Sequence, residues 1–273
     1  MQPGKLPHDI LARLLRDLPR RDPRVLLGPG VGRDAAVIDT GGPRLLVAKA
    51  DPITFASEEI GWYAVHVNAN DIACTGARPL WFLATILLPA GSTPSLPESI
   101  FAQAAEACEA LGIEIVGGHT EITIGLDRPI VSGAMLGEAE RDGLVRPDGA
   151  RAGDALVLTK GIAIEGTAVL AREAAPALRK LGVPVATVET ARRYIRTPGT
   201  EGMYADPEIY EGRRKGVPMG RVGSGEDIAG PAIFLASDEA RYTSGSVLGA
   251  DGAQAVAYFA SVPGRRFSGG SID

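Results

Sequence analysis

The chain has 273 residues, 45% hydrophobic and 22% charged, which suits one large or two small soluble globular domains with a real core. Only 5% are aromatic, so the core should be aliphatic and alanine-rich. Twenty-eight Lys+Arg against 33 Asp+Glu leave a net charge of −5, without the basic excess of a nucleic-acid-binding protein, and no run of about 18 apolar residues is present to span a membrane.

In chain order, Leu6, Ile10, Leu11, Leu14, Leu15 and Leu18 recur at helical spacing until Pro19, predicting a first amphipathic helix. His8 sits at its entry. The start MQPGKLPHDI has no apolar h-region, so no secretory signal is expected and a cytoplasmic location is. A glycine-rich loop spans residues 28–34, and strands are expected over 35–39 and 44–50, joined by the turn Gly41-Gly42-Pro43. Residues 58–74 read as a helix through Ile60, Ala64, Val67 and Ile72, and 79–88 as an apolar strand. A helix over 98–111 follows Pro97 and ends at Gly112.

The strand 113–116 is expected to run into a loop, Gly117-Gly118-His119-Thr120-Glu121, and 129–138 is another strand. Beyond it lie a strand at 155–159 and a helix over 165–178. The order is α, β-hairpin, α, β, α, β, β, β, α, which is α+β in character. The composition then changes near residues 182–189. A charged stretch around Arg213-Arg214-Lys215, a helix over 227–236, a short strand at Val247-Leu248 and a frayed tail at 268–271 complete the reading.

Cys74 and Cys108 are the only cysteines; they make neither a structural zinc site nor a disulfide framework and read as small buried hydrophobes. Gly28-x-Gly30-x-Gly32 invites a dinucleotide reading, but such a loop follows a strand and opens a helix, whereas here a helix precedes and a hairpin strand follows. There is no Gly-x-Ser-x-Gly elbow, no Walker A loop and no His-Glu-x-x-His. Three aspartates stand in more telling places: Asp34 closes the glycine loop, Asp51 ends an apolar strand before Pro52, and Asp71 interrupts an apolar helix. Each alone reads as a cap or surface residue. Together, carboxylates from loop, strand end and helix are what a magnesium ion on nucleotide phosphates needs. Two glycines at 117–118 would let backbone N–H groups approach a phosphate, with His119, Thr120 and Glu121 beside them; the alternative is a strand-end turn. Lys49, one of only five lysines, is taken with these nucleotide-side candidates, while His66 reads as a packed or hydrogen-bonded helix residue.

The stretches GVGRDAAVID, LLVAKADPITFA, IGWYAVHVNANDIACTGARPLWFLATILLP, EIVGGHTEIT and PIVSGAMLGEAERDGLVRPDGARAGDALVLTKGIAIEGTAVLARE occur in an order that resembles the ATP-binding superfamily of aminoimidazole ribonucleotide synthetase, thiamine-monophosphate kinase, selenophosphate synthetase and a hydrogenase maturation factor. The hydrogenase-maturation-like branch looks nearest. The resemblance covers about residues 1–180. It implies a mixed α/β ATP-binding domain over 1–150, the start of a synthetase-like C-terminal domain over 151–182 that breaks off, homodimer pairing through the sheets, and ATP with Mg²⁺ as cofactors. By position Asp34, Asp51 and Asp71 match the metal-holding aspartates, Asn70 the partner in an Asn-Asp motif, and Gly117, Gly118, Thr120 and Glu121 a second phosphate-side loop. Arg33 replaces a frequent family carboxylate and would itself contact phosphate; Ala50 stands where relatives often carry threonine. The C-terminal cysteine of hydrogenase maturation factors is absent.

Residues 194–254 instead resemble the last third of a short-chain dehydrogenase/reductase, through Pro218-Met219-Gly220-Arg221-Val222-Gly223, Glu226-Asp227-Ile228-Ala229 and Phe234-Leu235-Ala236-Ser237, with 255–273 as tail. No Tyr-x-x-x-Lys and no dinucleotide-binding half accompany them. The expectation is an Mg–ATP-binding protein that transfers phosphate to a small acceptor. The alternatives are an inactive fusion or interaction protein and a reductase-related protein. Neither nucleic acid nor membrane is expected as partner.

Overall fold

The structure is a computed structural model that describes residues 4–19, 21–152, 154, 163–192 and 207–215, with single positions 219, 221, 231 and 234. The chain divides into two compact units, residues 1–151 with 172–174, and residues 152–171 with 175–273.

The first unit opens with α1 (His8–Arg16), none of whose residues is buried. Six strands follow: β1 (Val25–Leu27), β2 (Ala36–Ile38), β3 (Arg44–Ile53), β4 (Arg78–Pro89), β5 (Glu114–Thr123) and β6 (Ile130–Glu140). Two helices interleave, α2 (Ile60–Ala73) and α3 (Ser95–Leu111). The sheet order is β1-β2-β3-β6-β4-β5. All neighbours are antiparallel except β4 and β5, so the sheet is mixed. That agrees with the expected mixed α/β class. The short β1 beside β2 has no counterpart in the sequence reading, because Val25-Leu26-Leu27 is too brief to show an alternation.

Strand alternation sets the layers. On β3, Leu45 and Val47 point to the core; on β6, Val131, Met135 and Ala139 do; on β4, Phe82, Ile86 and Leu88 do. Helices α2 and α3 cover this face with Ile60, Ala64, Val65, Ile72, Ile100, Ala104 and Ala107. The core is aliphatic and alanine-rich, with Phe82 and Tyr63 its only fully buried aromatics among the described residues. Close helix–sheet and helix–helix approach needs glycines. A side chain at Gly61 would strike the Ile100 carbonyl oxygen of α3, and one at Gly137 the Ile72 side chain of α2. The α3 helix begins three residues before the expected start and ends, as expected, at Gly112 in the left-handed conformation.

In the remainder of the described chain, α4 (Ile164–Glu173) and α5 (Ala175–Lys180) replace the single helix expected over 165–178. Pro176 explains the break: it lacks the N–H that would continue the helix and its ring clashes with the turn before it. Gly182 then closes α5 with a left-handed φ of 84°, and Val183 N–H reaches back to the Leu178 carbonyl. The stretch of changing composition carries a further helix, α6 (Val185–Arg192). Ala171, Ala175, Val188 and Ala191, with Leu178 and Val183 against them, form a small cluster. The basic run Arg213-Arg214-Lys215 lies in a helix, α7 (Pro207–Lys215), where Arg214 pairs with Glu211 one turn earlier. The strands expected at 155–159 and 247–248, the tail, and all of the helix over 227–236 except helical positions 231 and 234 fall outside the described residues. No helix among the described residues is long and apolar enough to cross a membrane.

Candidate functional site

The site begins where β3 changes character on its inward face. Leu45 and Val47 are core residues; the next two inward positions are Lys49 and Asp51. Helix α2 lies over that face and brings Asp71 from its last turn. The glycine loop before β2 brings Asp34. Gly32 supplies the left-handed φ of 75° that the loop needs, and Arg33 N–H donates to the Gly30 carbonyl at 3.2 Å. Loop, strand and helix thus converge on one point.

That point is the Lys49 ammonium. It lies 2.9 Å from Asp71 Oδ2, 3.5 Å from Asp51 Oδ2 and 3.7 Å from Asp34 Oδ1. The Lys49 side chain is only 7% exposed, whereas those of Asp71, Asp51 and Asp34 are 25%, 42% and 66% exposed. Burial is the largest single influence on Lys49 and works to discharge it. The hydrogen bond to Asp71 and the charges of Asp71, Asp51 and Asp34 together outweigh it and raise Lys49 above the ordinary lysine value. Three carboxylates and one ammonium leave a formal charge of −2 at the mouth of the cluster.

The other expected residues divide. Arg33 is turned onto its own loop: Nη1 donates to the Gly28 carbonyl at 3.3 Å and Nη2 lies 3.7 Å from Asp148 Oδ2. Asn70 is exposed on α2, its carbonyl accepting the Cys74 N–H. Gly117, Gly118, His119, Thr120 and Glu121 do not form a loop. They lie within β5, the edge strand, paired in parallel with Leu83 to Leu87 of β4 after a bulge at Val116. The glycines serve strand approach: a side chain at Gly118 would strike the Ala84 carbonyl oxygen. His119 Nε2 and Glu121 Oε2, two residues apart on one exposed face, sit 3.0 Å from each other. This segment is nevertheless aligned with the aspartates. Asp51 pairs with Gly133, Gly133 with Ala84, and Ala84 with Gly118, so Asp51 and Gly118 occupy one transverse row of the sheet. Three interstrand spacings separate them by about 14 Å.

A residue outside the expected set buttresses the row. Asn68 is fully buried; its Nδ2 donates to the Ala64 carbonyl at 2.8 Å and to the Asp51 carbonyl at 3.2 Å. Its Oδ1 is buried without a partner. Gly133 makes the room, since any side chain there would collide with Asn68 Nδ2 and Phe82. The sequence signal was an amide in an apolar stripe, one helical turn before Asp71.

Other polar residues behave structurally. His66 stacks on Trp62 with ring centroids 3.6 Å apart, and its Nδ1 donates to the Trp62 carbonyl; burial lowers its pKa. Cys108 is buried, and burial chiefly pushes its thiol up to about 11. Cys74 is exposed, contrary to the expectation for both cysteines; it stands at the C-cap of α2, past the last helical turn.

The carboxylates fit a hard divalent cation: all offer oxygen, they come from three separate elements, and a positively charged nitrogen already stands among them. Among the described residues no group of three His, Cys, Asp or Glu stands close enough together to hold a metal ion as the side chains lie, and the three carboxylates are instead arranged about the Lys49 ammonium.

Residues 32–139 match the model of AIR synthase related protein, N-terminal domain, and residues 158–253 match that of enoyl-(acyl carrier protein) reductase. Both resemblances read from the sequence therefore stand, the second beginning earlier than the motifs at 194–254. Thiamine-monophosphate kinase of Archaeoglobus fulgidus is 29% identical over 188 residues, covering 63% of this chain and 60% of that protein. Carbamoyl dehydratase HypE of Rhizobium leguminosarum bv. viciae is 32% identical over 148 residues, covering 52% and 42%. The crystal structure of tt0281 from Thermus thermophilus, 24% identical with a TM-score of 0.51 over 67% of this chain and 57% of that one, has the same fold. The chain thus spans between 42% and 60% of the lengths of these relatives. Residues 32–139 are thus similar to the AIR synthase related N-terminal domain, and the relatives that share this part include a thiamine-monophosphate kinase and a carbamoyl dehydratase.

Proposed function

We propose that the first unit binds Mg–ATP and, within the superfamily, stands beside the hydrogenase-maturation branch, passing the γ-phosphoryl group to a small acceptor as ADP leaves. The observation that carries this reading is the convergence of Asp34, Asp51 and Asp71 on one cation position. Those three would hold the magnesium, which when bound neutralises charge on the transferring phosphate. The chain's own part is positioning. Asn68 fixes the Asp51 backbone, α2 presents Asp71, and the glycine loop presents Asp34. The edge strand with Gly117, Gly118, His119, Thr120 and Glu121 is the proposed second contact to the triphosphate, approached along the row that begins at Asp51.

The same strand supports a homodimer. It is ten residues long and, among the described residues, has no strand paired on its outer side, with Ile115, Val116 and Ile122 38%, 50% and 65% exposed. A long apolar edge of this kind is stable when covered by another strand.

Calorimetric titration with Mg–ATP tests the reading. Wild type should bind, and Asp71→Asn should bind about 5- to 30-fold more weakly, the scale of one lost charge-assisted contact of about 1–2 kcal/mol. Absence of binding by wild type defeats it. The partial span of the relatives favours a second reading, a nucleotide-dependent interaction protein that binds ATP without consuming it. A phosphate-release assay separates the two. For the reductase-like stretch, a nicotinamide fluorescence titration should show no binding, since no Tyr-x-x-x-Lys is present to serve a carbonyl.

A further inference from the structure

The metal-site reading leaves one residue unexplained. A purely metal-holding trio has no use for a buried cation at its centre, yet Lys49 is placed there at an energetic cost. Its side chain is only 7% exposed, with the three carboxylates standing 2.9, 3.5 and 3.7 Å from the ammonium. The three aspartates come from a loop, a strand and a helix; Asn68 ties α2 to the Asp51 backbone and β2 pairs with β3, but these bonds hold backbone and leave the carboxylates themselves to their common contact with Lys49. Like charges so close repel, so without a cation they would splay.

We propose that Lys49 is a built-in counter-cation of the aspartate trio: it holds the carboxylates gathered when no divalent cation is present, and a divalent cation binds by displacing its ammonium from them. The proposal rests on the metal reading above and adds a regulatory device to it. Lys49 sets a threshold, because an entering cation must break three ion pairs before it gains its own. Asp71, at 2.9 Å and the least exposed of the three carboxylates, is the pair that must open last; Asp34, at 3.7 Å and most exposed, is the first to change partner. The net charge of −2 with Lys49 in place matches one divalent cation. It would leave a second cation without compensation unless phosphate brings charge of its own.

The experiment uses the full chain and Mn²⁺ as probe, its binding followed by electron paramagnetic resonance. Lys49→Met keeps the length of the stem and removes the charge. It should bind Mn²⁺ at least tenfold tighter than wild type, and Lys49→Arg should return affinity toward the wild-type value. In wild type, amine labelling read by mass spectrometry should show Lys49 slow to react without cation and several-fold faster as Mn²⁺ saturates, because its ammonium has been released. That measurement needs no variant and survives a Lys49→Met chain that fails to fold. Equal or weaker Mn²⁺ binding by Lys49→Met, or Lys49 labelling that is unchanged or slower with Mn²⁺ bound, overturns the counter-cation role while leaving the metal site standing. No Mn²⁺ binding by wild type and Lys49→Met alike removes the metal reading and the proposal with it.

Discussion

Asn68 offers a quantitative test of how the site is held. Its amide donates to the carbonyls of Ala64 and Asp51, while its Oδ1 lies buried with no partner. Replacing it with leucine, which branches at the same carbon and has the same number of side-chain heavy atoms, removes two hydrogen bonds worth together about 1–3 kcal/mol. The same change removes an unsatisfied buried acceptor, whose desolvation costs about 1–3 kcal/mol. The two nearly cancel, so Asn68→Leu should change stability by less than about 1.5 kcal/mol in either direction. Asn68→Asp should be far worse, at least about 3 kcal/mol, because a carboxylate can donate to neither carbonyl and would be buried unpaired. The assay is convenient. Trp62 and Trp81, the only tryptophans, lie on α2 and β4, so fluorescence during urea unfolding reports the first unit alone. Although nearly neutral in stability, Asn68→Leu should loosen the Asp51 backbone and weaken Mn²⁺ binding several-fold. A leucine variant destabilised by more than about 3 kcal/mol, or as costly as the aspartate one, would refute the reasoning, since the orphaned oxygen would then have to be satisfied.

Three further outcomes follow from the geometry. Gly118→Ala should cost about 1–3 kcal/mol by the same fluorescence assay, since its methyl strikes the Ala84 carbonyl, whereas Gly117→Ala, with only Leu83 at 3.8 Å, should be tolerated; equal effects would contradict the strand assignment. The Arg141 guanidinium, helped by the Gly41 N–H, holds the Asp39 carboxyl down at about 2. A depressed carboxyl contributes stability that is complete above its unfolded value near 4 and is lost as pH falls toward 2. Asp39→Asn should therefore flatten the fall in urea midpoint between roughly pH 4 and pH 2, and an unchanged slope would count against the pair. Finally, thiol titration of native protein at pH 8 should give one fast group, Cys74, and one slow group, Cys108, which is buried with its thiol pushed up to about 11; two fast groups would mean that the α3 face is open.

Much of the first unit was legible because its pattern is local. The hairpin turn at Gly41-Gly42-Pro43, the continuous apolar stretch of β4 and the helical spacing of α2 each carry their own signal, and the structure places all three within a few residues. The three aspartates stood out in sequence by their places, Asp34 closing a glycine loop, Asp51 ending an apolar strand and Asp71 interrupting an apolar helix. What lay beyond reach was pairing between distant segments. Gly117-Gly118 looks like a loop in sequence because glycine usually marks one; only the parallel neighbour β4, some 34 positions earlier by register, gives those glycines a place in a strand. Likewise Lys49 looked like one more phosphate-side cation, and its position among three carboxylates depends on α2 crossing β3, which no local pattern states. Asn68 was overshadowed by Asn70 because the two differ only in helical phase, and it is phase that sends one to the core and leaves the other on the surface. Pro176 carried a signal that apolar periodicity masked.

Among the described strands the last to be made is a central one. Because β6 is inserted between β3 and β4, the pieces β1-β2-β3 and β4-β5 share no strand pairing until residues 130–140 have been synthesised; Arg44 must wait for Glu140. Such distant partners slow chain closure and leave two half-sheets with raw edges during translation. A ribosome stalled before residue 130 would thus hold every aspartate of the cluster and still have nothing to brace the strand that carries two of its charged residues. Mutations in β6 are where this polypeptide should be most prone to misassembly.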